Sequence, residues 1–416
     1  MKEKKENQNP SIKILVGYHK PAELLKDDIL TPIHLGRALA TEASKDGNIS
    51  KDDYKWMCEN MIGDDTGDNI SYLNRCLNEL TGIYWAWKNY DKLGNPDYIG
   101  FMHYRRHFIF DNNFTNSLQL NGDGYSYIIN INKQYFEYIG FEKYINLIKQ
   151  YDVILPKLFN CNQVIEKPHT FTTCKDFLCL WNGNQLSAYK LFIFIITHLD
   201  RYKMYSSLVN EIDQNTVYYP YNMFIMKKDI FFKYCNFLFE VVFLLNDILG
   251  YDVSKRDVWT RRELAWVSEY ISTLFFYTVK HKYETDIGMI NFNNVFKVNN
   301  KTNDSENFYS AVKVVQNHLS YKIGKAIINA KTFKLKFLLP LTLLKIIKHH
   351  RLEYQIYSCL IELNPGLKRY SLESYSDYEE ALKIKNYFSY KLGNLIIKHP
   401  FTFIFRLPQI LRRYKQ

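Results

Sequence analysis

Residues 98–108 read YIGFMHYRRHF, a short apolar run that ends in a histidine, a tyrosine and two adjacent arginines. The run has the composition of a buried strand. A core strand that surfaces with two guanidiniums directs them at something negative: a neighbouring carboxylate, a nucleic acid or a phosphorylated small molecule. Arg105 and Arg106 offer paired donors matched to phosphate oxygens, and Lys20 and Lys88 offer point charges. His103 is open to three readings: a metal ligand, a proton donor to a leaving phosphate, or a core histidine bonded to backbone.

Upstream, SIKILVGYHK (11–20) is a second buried-strand pattern, five residues from Ile12 to Val16 ending in Gly17 and polar Tyr18, His19 and Lys20. Ligands of α/β sheets gather beyond the carboxyl ends of strands, so a first strand opening onto Tyr-His-Lys suits a nucleotide. Between the two strands lies GDDTGDNISYLNRCLNELTGIYWAWKN (63–89). Gly63 to Gly67 is turn chemistry, and Asp68, Asn69 and Ser71 are good helix N-caps. Leu73, Leu77, Leu80, Tyr84 and Trp87 then recur as one apolar face, which predicts a single amphipathic helix. Beside it Asn74, Asn78, Thr81, Trp85 and Lys88 form a parallel hydrogen-bonding stripe, either solvated or facing a ligand.

Downstream, YDVILPK (151–157) reads as a strand stopped by proline. Residues 218–245 read as a turn, a short strand over Met223–Met226 and a long apolar helix. A second helix is expected over 261–281 and a late strand over 289–298. Strands interleaved with helices give an α/β domain over 10–298. A polar linker, NNKTNDSEN, occupies 299–307, and a basic helical region follows over 308–416. Within it NHLSYKIGKAII (317–328) matches NYFSYKLGNLII (386–397), a twofold SYKxG repeat of amphipathic segments. These are expected to lie in a lipid headgroup layer, the alternative being a helical subdomain packed on the first domain.

The chain has 416 residues, 47% of them hydrophobic, a globular composition. Its 54 Lys and Arg against 43 Asp and Glu leave a formal charge of +11. From Asn307 to Leu352 no residue is acidic while nine are Lys or Arg, which points to a polyanionic surface. Seven dispersed cysteines argue for reduced thiols in a cytosolic setting rather than a disulfide framework. No secretory signal pattern or membrane-length apolar run is expected. Walker, GxGxxG, HExxH and GxSxG motifs are missing, which removes the easy readings as ATPase, dehydrogenase, zinc protease or hydrolase. Charge alone supports nucleic-acid binding, and none is expected.

The segments DDTGDNIS, ELTGIYWAWKN, YIGFMHYRRHF, YNMFIMKKDIF and the helix containing SEY resemble a bacterial capsular and exopolysaccharide glycosyltransferase family long catalogued as a domain of unknown function. The resemblance covers roughly 12–280. It implies a GT-A-like, Rossmann-type mixed sheet flanked by helices, and transfer of galactose or galactofuranose from a UDP-sugar to a growing lipid-linked polysaccharide. It further implies a cytoplasmic chain, peripheral on the inner face of the plasma membrane, with a nucleotide-sugar donor, a polyprenyl-linked saccharide acceptor and an anionic membrane surface as partners.

Carried onto this sequence, Tyr18, His19 and Lys20 would lie near the base and ribose. Asn69, Asn74, Thr81, Trp85 and Lys88 would form the donor-facing helix. His103, Arg105 and Arg106 would form the clamp on diphosphate and sugar, with Asn222 and Met223 bordering the acceptor. Where many such enzymes carry Asp-x-Asp to hold a metal, this chain has HYRR. Against the family pattern, the arginines are expected to replace the charge of a divalent cation (Mn2+ or Mg2+), the alternative being that such a cation is also required. An inverting transfer also needs a carboxylate base. The candidates are Glu269, alone in an apolar helix run, then Asp176 and Glu263. The alternative is a non-catalytic membrane- or nucleic-acid-binding protein in which HYRR is a structural ion-pair cluster.

Overall fold

The computed structural model describes residues 9–41, 49–111, 119–120, 126–128, 139–163, 173–181, 187–249, 260–290, 311–363, 371–374, 377–400, 402–403 and 405–408. The chain divides into two compact units, Met1–Val242 with Asp257–Asn299, and Phe243–Arg256 with Asn300–Gln416. The expected linker over 299–307 and most of the expected strand over 289–298 lie outside the described residues.

The first unit is a mixed α/β fold built on one ten-stranded sheet. Its strands are β1 (Ile12–Tyr18), β2 (Leu30–His34), β3 (Ile62–Gly63), β4 (Tyr98–His103), β5 (Arg106–Ile109), β6 (Gln119–Leu120), β7 (Ser126–Ile128), β8 (Val153–Pro156), β11 (Phe224–Lys227) and β12 (Lys282–Ile290). Short strands β9 (Phe159–Asn160) and β10 (Val217–Tyr218) pair separately. The order is β3-β2-β1-β4-β11-β8-β12-β7-β6. The β3-β2-β1-β4 part is all parallel. β11 enters antiparallel between β4 and β8. β5 turns back from β4 by a tight hairpin, His103 opposite Arg106, and pairs with β12. The pairing β4-β11-β8-β12-β5-β4 therefore closes on itself.

The central strands are buried on both faces, as parallel strands covered on both sides must be. Ile12, Ile14, Val16 and Tyr18 of β1 join Met102, Phe108, Met223 and Ile225 in one cluster. On the other face Phe101 and Phe224 meet α3 (Leu80–Lys88) and α5 (Lys228–Leu249). Gly82 of α3 has no side chain because a Cβ there would press on Leu35 and Phe101. Phe224 packs on Phe231 and Tyr234 of α5, and Tyr234 stacks on Phe276 of α6 (Glu263–Tyr277). Other helices used below are α1 (Lys51–Asn60), α2 (Asn74–Leu77) and α4 (Ser187–His198).

One sequence expectation is corrected. The helix read through 73–87 is interrupted at Asn78, with φ 45° and ψ −125°, into α2 and α3. Asparagine tolerates positive φ better than other side-chain-bearing residues. The break is held by the Asn74 side chain, which donates to the Asn78 carbonyl at 2.8 Å and to Thr81 Oγ1 at 3.0 Å. Helix spacing saw the apolar face continue across the break and missed the kink.

The second unit contains α7 (Ala311–Gln316), α8 (Leu319–Asn329), α9 (Phe333–Leu363), α10 (Tyr378–Asn386) and α11 (Phe388–Lys398). The SYKxG repeats form α8 and α11, which pack on each other reciprocally. A Cβ on Gly324 would run into the backbone of Ser389, and one on Gly393 into the backbone of Ser320. The equivalent Ser and Gly of each repeat therefore meet their counterparts at a close helix crossing. The glycine faces of the two repeats are thus used for helix packing within this unit. Gly324→Val is expected to split the pair, lowering the unit's stability by about 3 kcal/mol, since overpacking against backbone cannot relax cheaply. Urea unfolding of the full chain, followed by a probe in 311–400, checks this, with Lys325→Val as an exposed control.

Candidate functional site

The chain adds β2 and β3 on one side of β1 and then β4 on the other, so the strand order reverses between β1 and β4. Such a switch point leaves a crevice beyond the carboxyl ends of the two strands. Tyr18-His19-Lys20 follow β1, and His103-Tyr104-Arg105-Arg106 turn out of β4. His19, Arg105 and Arg106 all lie close enough to His103 to disfavour its protonation, after burial, which contributes most. His103 is held well below the usual histidine range and is neutral. It donates from Nε2 to the Tyr221 carbonyl at 2.9 Å.

Tyr221 is the hinge of the cluster. It and Asn222 both have positive φ, 72° and 51°. A tyrosine there is strained by an amount of order 1–2 kcal/mol. While its carbonyl accepts from His103, its N–H donates to the carboxylate of Glu269. Its ring lies under Arg106, with Cζ 4.2 Å from the ring centroid. Arg106 Nε is buried without a hydrogen-bond partner among the described residues. One residue, through the two peptide groups that flank its Cα, thus joins a neutral imidazole at the end of β4 to a carboxylate on α6, beneath a guanidinium.

Glu269 has its pKa pushed up to about 8, by burial first and then by the like charge of Glu79; Arg106, the Tyr221 N–H and Arg262 pull it back. The turn is braced by Asn222, 2% exposed, which donates to Glu79 at 2.9 Å and Ser268 Oγ at 3.1 Å and accepts from Ser272 at 3.1 Å. Arg262 donates to Asn78 Oδ1 at 3.0 Å, which ties the kink between α2 and α3 to the start of α6.

Other candidates from the sequence use their polar groups elsewhere. Tyr18 is fully buried, its hydroxyl donating to the Glu23 carbonyl and accepting from Leu25 N–H, and its ring stacks on Tyr104. Asn69 donates to the carbonyls of Asp65 and Gly67. Thr81 donates to Asp64 at 2.6 Å, and Trp85 Nε1 donates to the Thr66 carbonyl at 2.9 Å. Asp64 also accepts from Ser71 and from the N–H groups of Gly36 and Arg37, so it fastens the 63–81 segment to the end of β2. Lys88 lies 3.3 Å over the Trp87 ring, which stacks on Phe239. Met223 is fully buried in the core. Glu263 accepts from the Ala188 N–H at the start of α4. Asp176 sits in the first turn of helix Cys174–Trp181.

Tyr221 and Glu79 were not singled out by their spacing. The signal for Tyr221 lay in YYPYN, where a proline turn precedes an asparagine suited to positive φ. Glu79 was hidden in a helix read as continuous.

Among the described residues one group has metal-ligand spacing, Asp247, His349 and Glu353 in the second unit, with ligand atoms within 4.8 Å of one another. Lys322 Nζ reaches Glu353 at 2.9 Å and Asp247 at 3.8 Å. His349 is raised to about 9 by its bonds to Asp247 and Glu353. An ammonium and an imidazolium already supply the positive charge, so the group acts as an ion-pair network. At the end of β4 the guanidiniums of Arg105 and Arg106 flank His103, whose Nε2 is already bonded to the Tyr221 carbonyl, a positively charged setting that disfavours a divalent cation. Two clefts, of about 500 Å³ beside Asp97, Lys227 and Lys228 and about 470 Å³ beside Lys13, Arg37 and Lys92, lie elsewhere. The first opens at the start of β4, the opposite end from His103.

No helix among the described residues is long and apolar enough to cross a membrane. Residues 263–416 match a family model described as a domain of unknown function, DUF8374. The fold is similar to that of a solved apo structure of the bifunctional glycosyltransferase WbbM, with a TM-score of 0.55 and 24% identity over 80% of this chain. This chain spans 57% of that protein's length. No curated protein matches. Residues 13–282, well over half of the chain, match the model of the domain of unknown function DUF4422, and the chain belongs to that family.

Proposed function

We propose that the first unit is a glycosyltransferase of GT-A-like architecture. The single observation that carries this reading is the Tyr221 backbone. It binds a neutral His103 on one side and a high-pKa Glu269 on the other, directly beneath Arg106. The parallel β3-β2-β1-β4 order with its switch point, and the likeness to a glycosyltransferase fold, support the same reading.

In the proposed reaction the bond from the anomeric carbon to the phosphate oxygen breaks, and its electron pair leaves with the nucleoside diphosphate. Arg105 and Arg106 stabilise that developing charge. The acceptor hydroxyl forms the new bond from the opposite face, with inversion, and gives its proton to Glu269. His103 holds the Tyr221 carbonyl and keeps the Tyr221 N–H aimed at Glu269. Asn222 locks the turn. His19 and Lys20 border the donor from the end of β1. Asn69, Asn74, Thr81 and Trp85 shape the wall behind it. The donor is a UDP-hexose, galactose or galactofuranose. The acceptor is a polyprenyl-linked surface saccharide, and the chain works at the inner face of the plasma membrane.

The test is UDP release by the full chain from a panel of UDP-sugars, with and without saccharide acceptors. Turnover of one UDP-hexose, accelerated by acceptor, is the expected result. A folded protein inert toward every donor but tight on nucleic acid would replace this reading with a binding function.

A further inference from the structure

We propose that the first half of α9 docks on an anionic lipid surface. This goes beyond the transfer chemistry and depends on no property of the donor site. Helix α9 is two different helices end to end. Its later part is anchored: Glu353 and Ile356 are buried, and Glu353 binds Lys322 of α8 at 2.9 Å. Its earlier part is apolar and uncovered. Phe337 is 76% exposed, Leu341 60% and Leu344 55%, and Leu335 and Leu338 beside them are also exposed.

Phe337, Leu341 and Leu344 are spaced by four and three residues, so they share one face. Lys345 follows Leu341 by four, and Lys348 follows Leu344 by four, which places both ammoniums along the same face; both are exposed. An apolar face left in water over three turns forfeits the burial that normally pays for ordering a helix.

Charge decides the occupant. From 307 to 352 the chain carries nine Lys or Arg and no acid. Two copies meeting on this face would bring like charges together with no carboxylate to offset them. An anionic headgroup layer supplies the missing charge, while the leucines and Phe337 enter the acyl boundary by roughly 5–10 Å and the lysines reach back to the phosphates. A bilayer also covers Leu338, which lies to the side of the Phe337 stripe, where one partner helix would not.

The experiment is co-sedimentation of the full chain with phosphatidylcholine vesicles, with and without about 30% phosphatidylglycerol. Binding at least tenfold tighter to the anionic vesicles is expected, weakening in high salt. The Leu341→Gln, Leu344→Gln double variant is expected to lose at least tenfold, and so is Lys345→Gln, Lys348→Gln. All four positions are exposed, and unchanged urea unfolding verifies the fold. Equal binding to both vesicle types, or no binding, overturns the proposal. So does a concentration-dependent dimer that the leucine variant dissolves, which would assign the face to a second copy. Vesicle binding needs no catalysis, so its failure is separate from any failure of the transfer reading.

Discussion

Replacing Arg106 by Ala is expected to lower kcat/KM for sugar transfer by about a hundredfold or more, while the fold survives. A charge-stabilising donor of this kind is worth about 3 kcal/mol in the transition state. The position explains the size. Arg106 is braced on the Tyr221 ring and its Nε is buried without a partner among the described residues. Its charge is thus held in place before any anion arrives. Arg106→Lys keeps the charge but loses the flat stack and paired donors, so it should recover only part of the rate. Arg105→Ala is also expected to be severely impaired. Initial rates of UDP release, with circular dichroism as the fold control, measure all three. Full turnover by the Arg106→Ala protein would remove the clamp from the mechanism.

The second large effect belongs to Glu269. As the base it must be ionised, so transfer should rise with pH along a limb near pH 8, where its pKa lies. Glu269→Gln is expected to cost about 100- to 10,000-fold in kcat and to lose that limb. Because Arg106 lowers this pKa, the residual activity of Arg106→Ala should have its limb at higher pH.

Stability must move in the opposite sense. The folded pKa of about 8 exceeds the ordinary carboxyl value of 4.5. Between those values the folded chain holds a proton that the unfolded chain has released. The contribution is complete below about pH 4.5 and is lost as pH rises through 8. Glu269→Gln should therefore be relatively more stable than the parent at pH 8 than at pH 5. Thermal melts at both pH values check this, and an unchanged difference would mean that the carboxyl is not held protonated by the fold.

What could be read in the sequence was local. An apolar run into HYRR defined β4 and its exit, and an isolated glutamate in an apolar helix marked Glu269, since both signals depend only on neighbours in the chain. The long-range pairings were invisible. Periodicity showed that Thr81 and Trp85 share a stripe, but it could not show that Asp64 and Thr66 would take their hydrogen bonds. It carried the apolar face across Asn78 because a kink at one residue leaves the flanking spacing intact. Nothing local showed that Tyr221, 118 residues beyond His103, would join it to Glu269. The repeats were legible as amphipathic, yet which face packs inward was decided by Gly324 and Gly393, whose missing side chains leave no hydrophobic signal.

A crystal structure of the chain with UDP bound tests the central claim most directly. The account expects the diphosphate beyond the carboxyl ends of β1 and β4, within hydrogen-bonding reach of the Arg106 guanidinium and on the side of the Tyr221 turn that carries Glu269. A diphosphate seated instead among Lys13, Arg37 and Lys92, with Arg106 still lying on Tyr221 and touching no ligand, would contradict it.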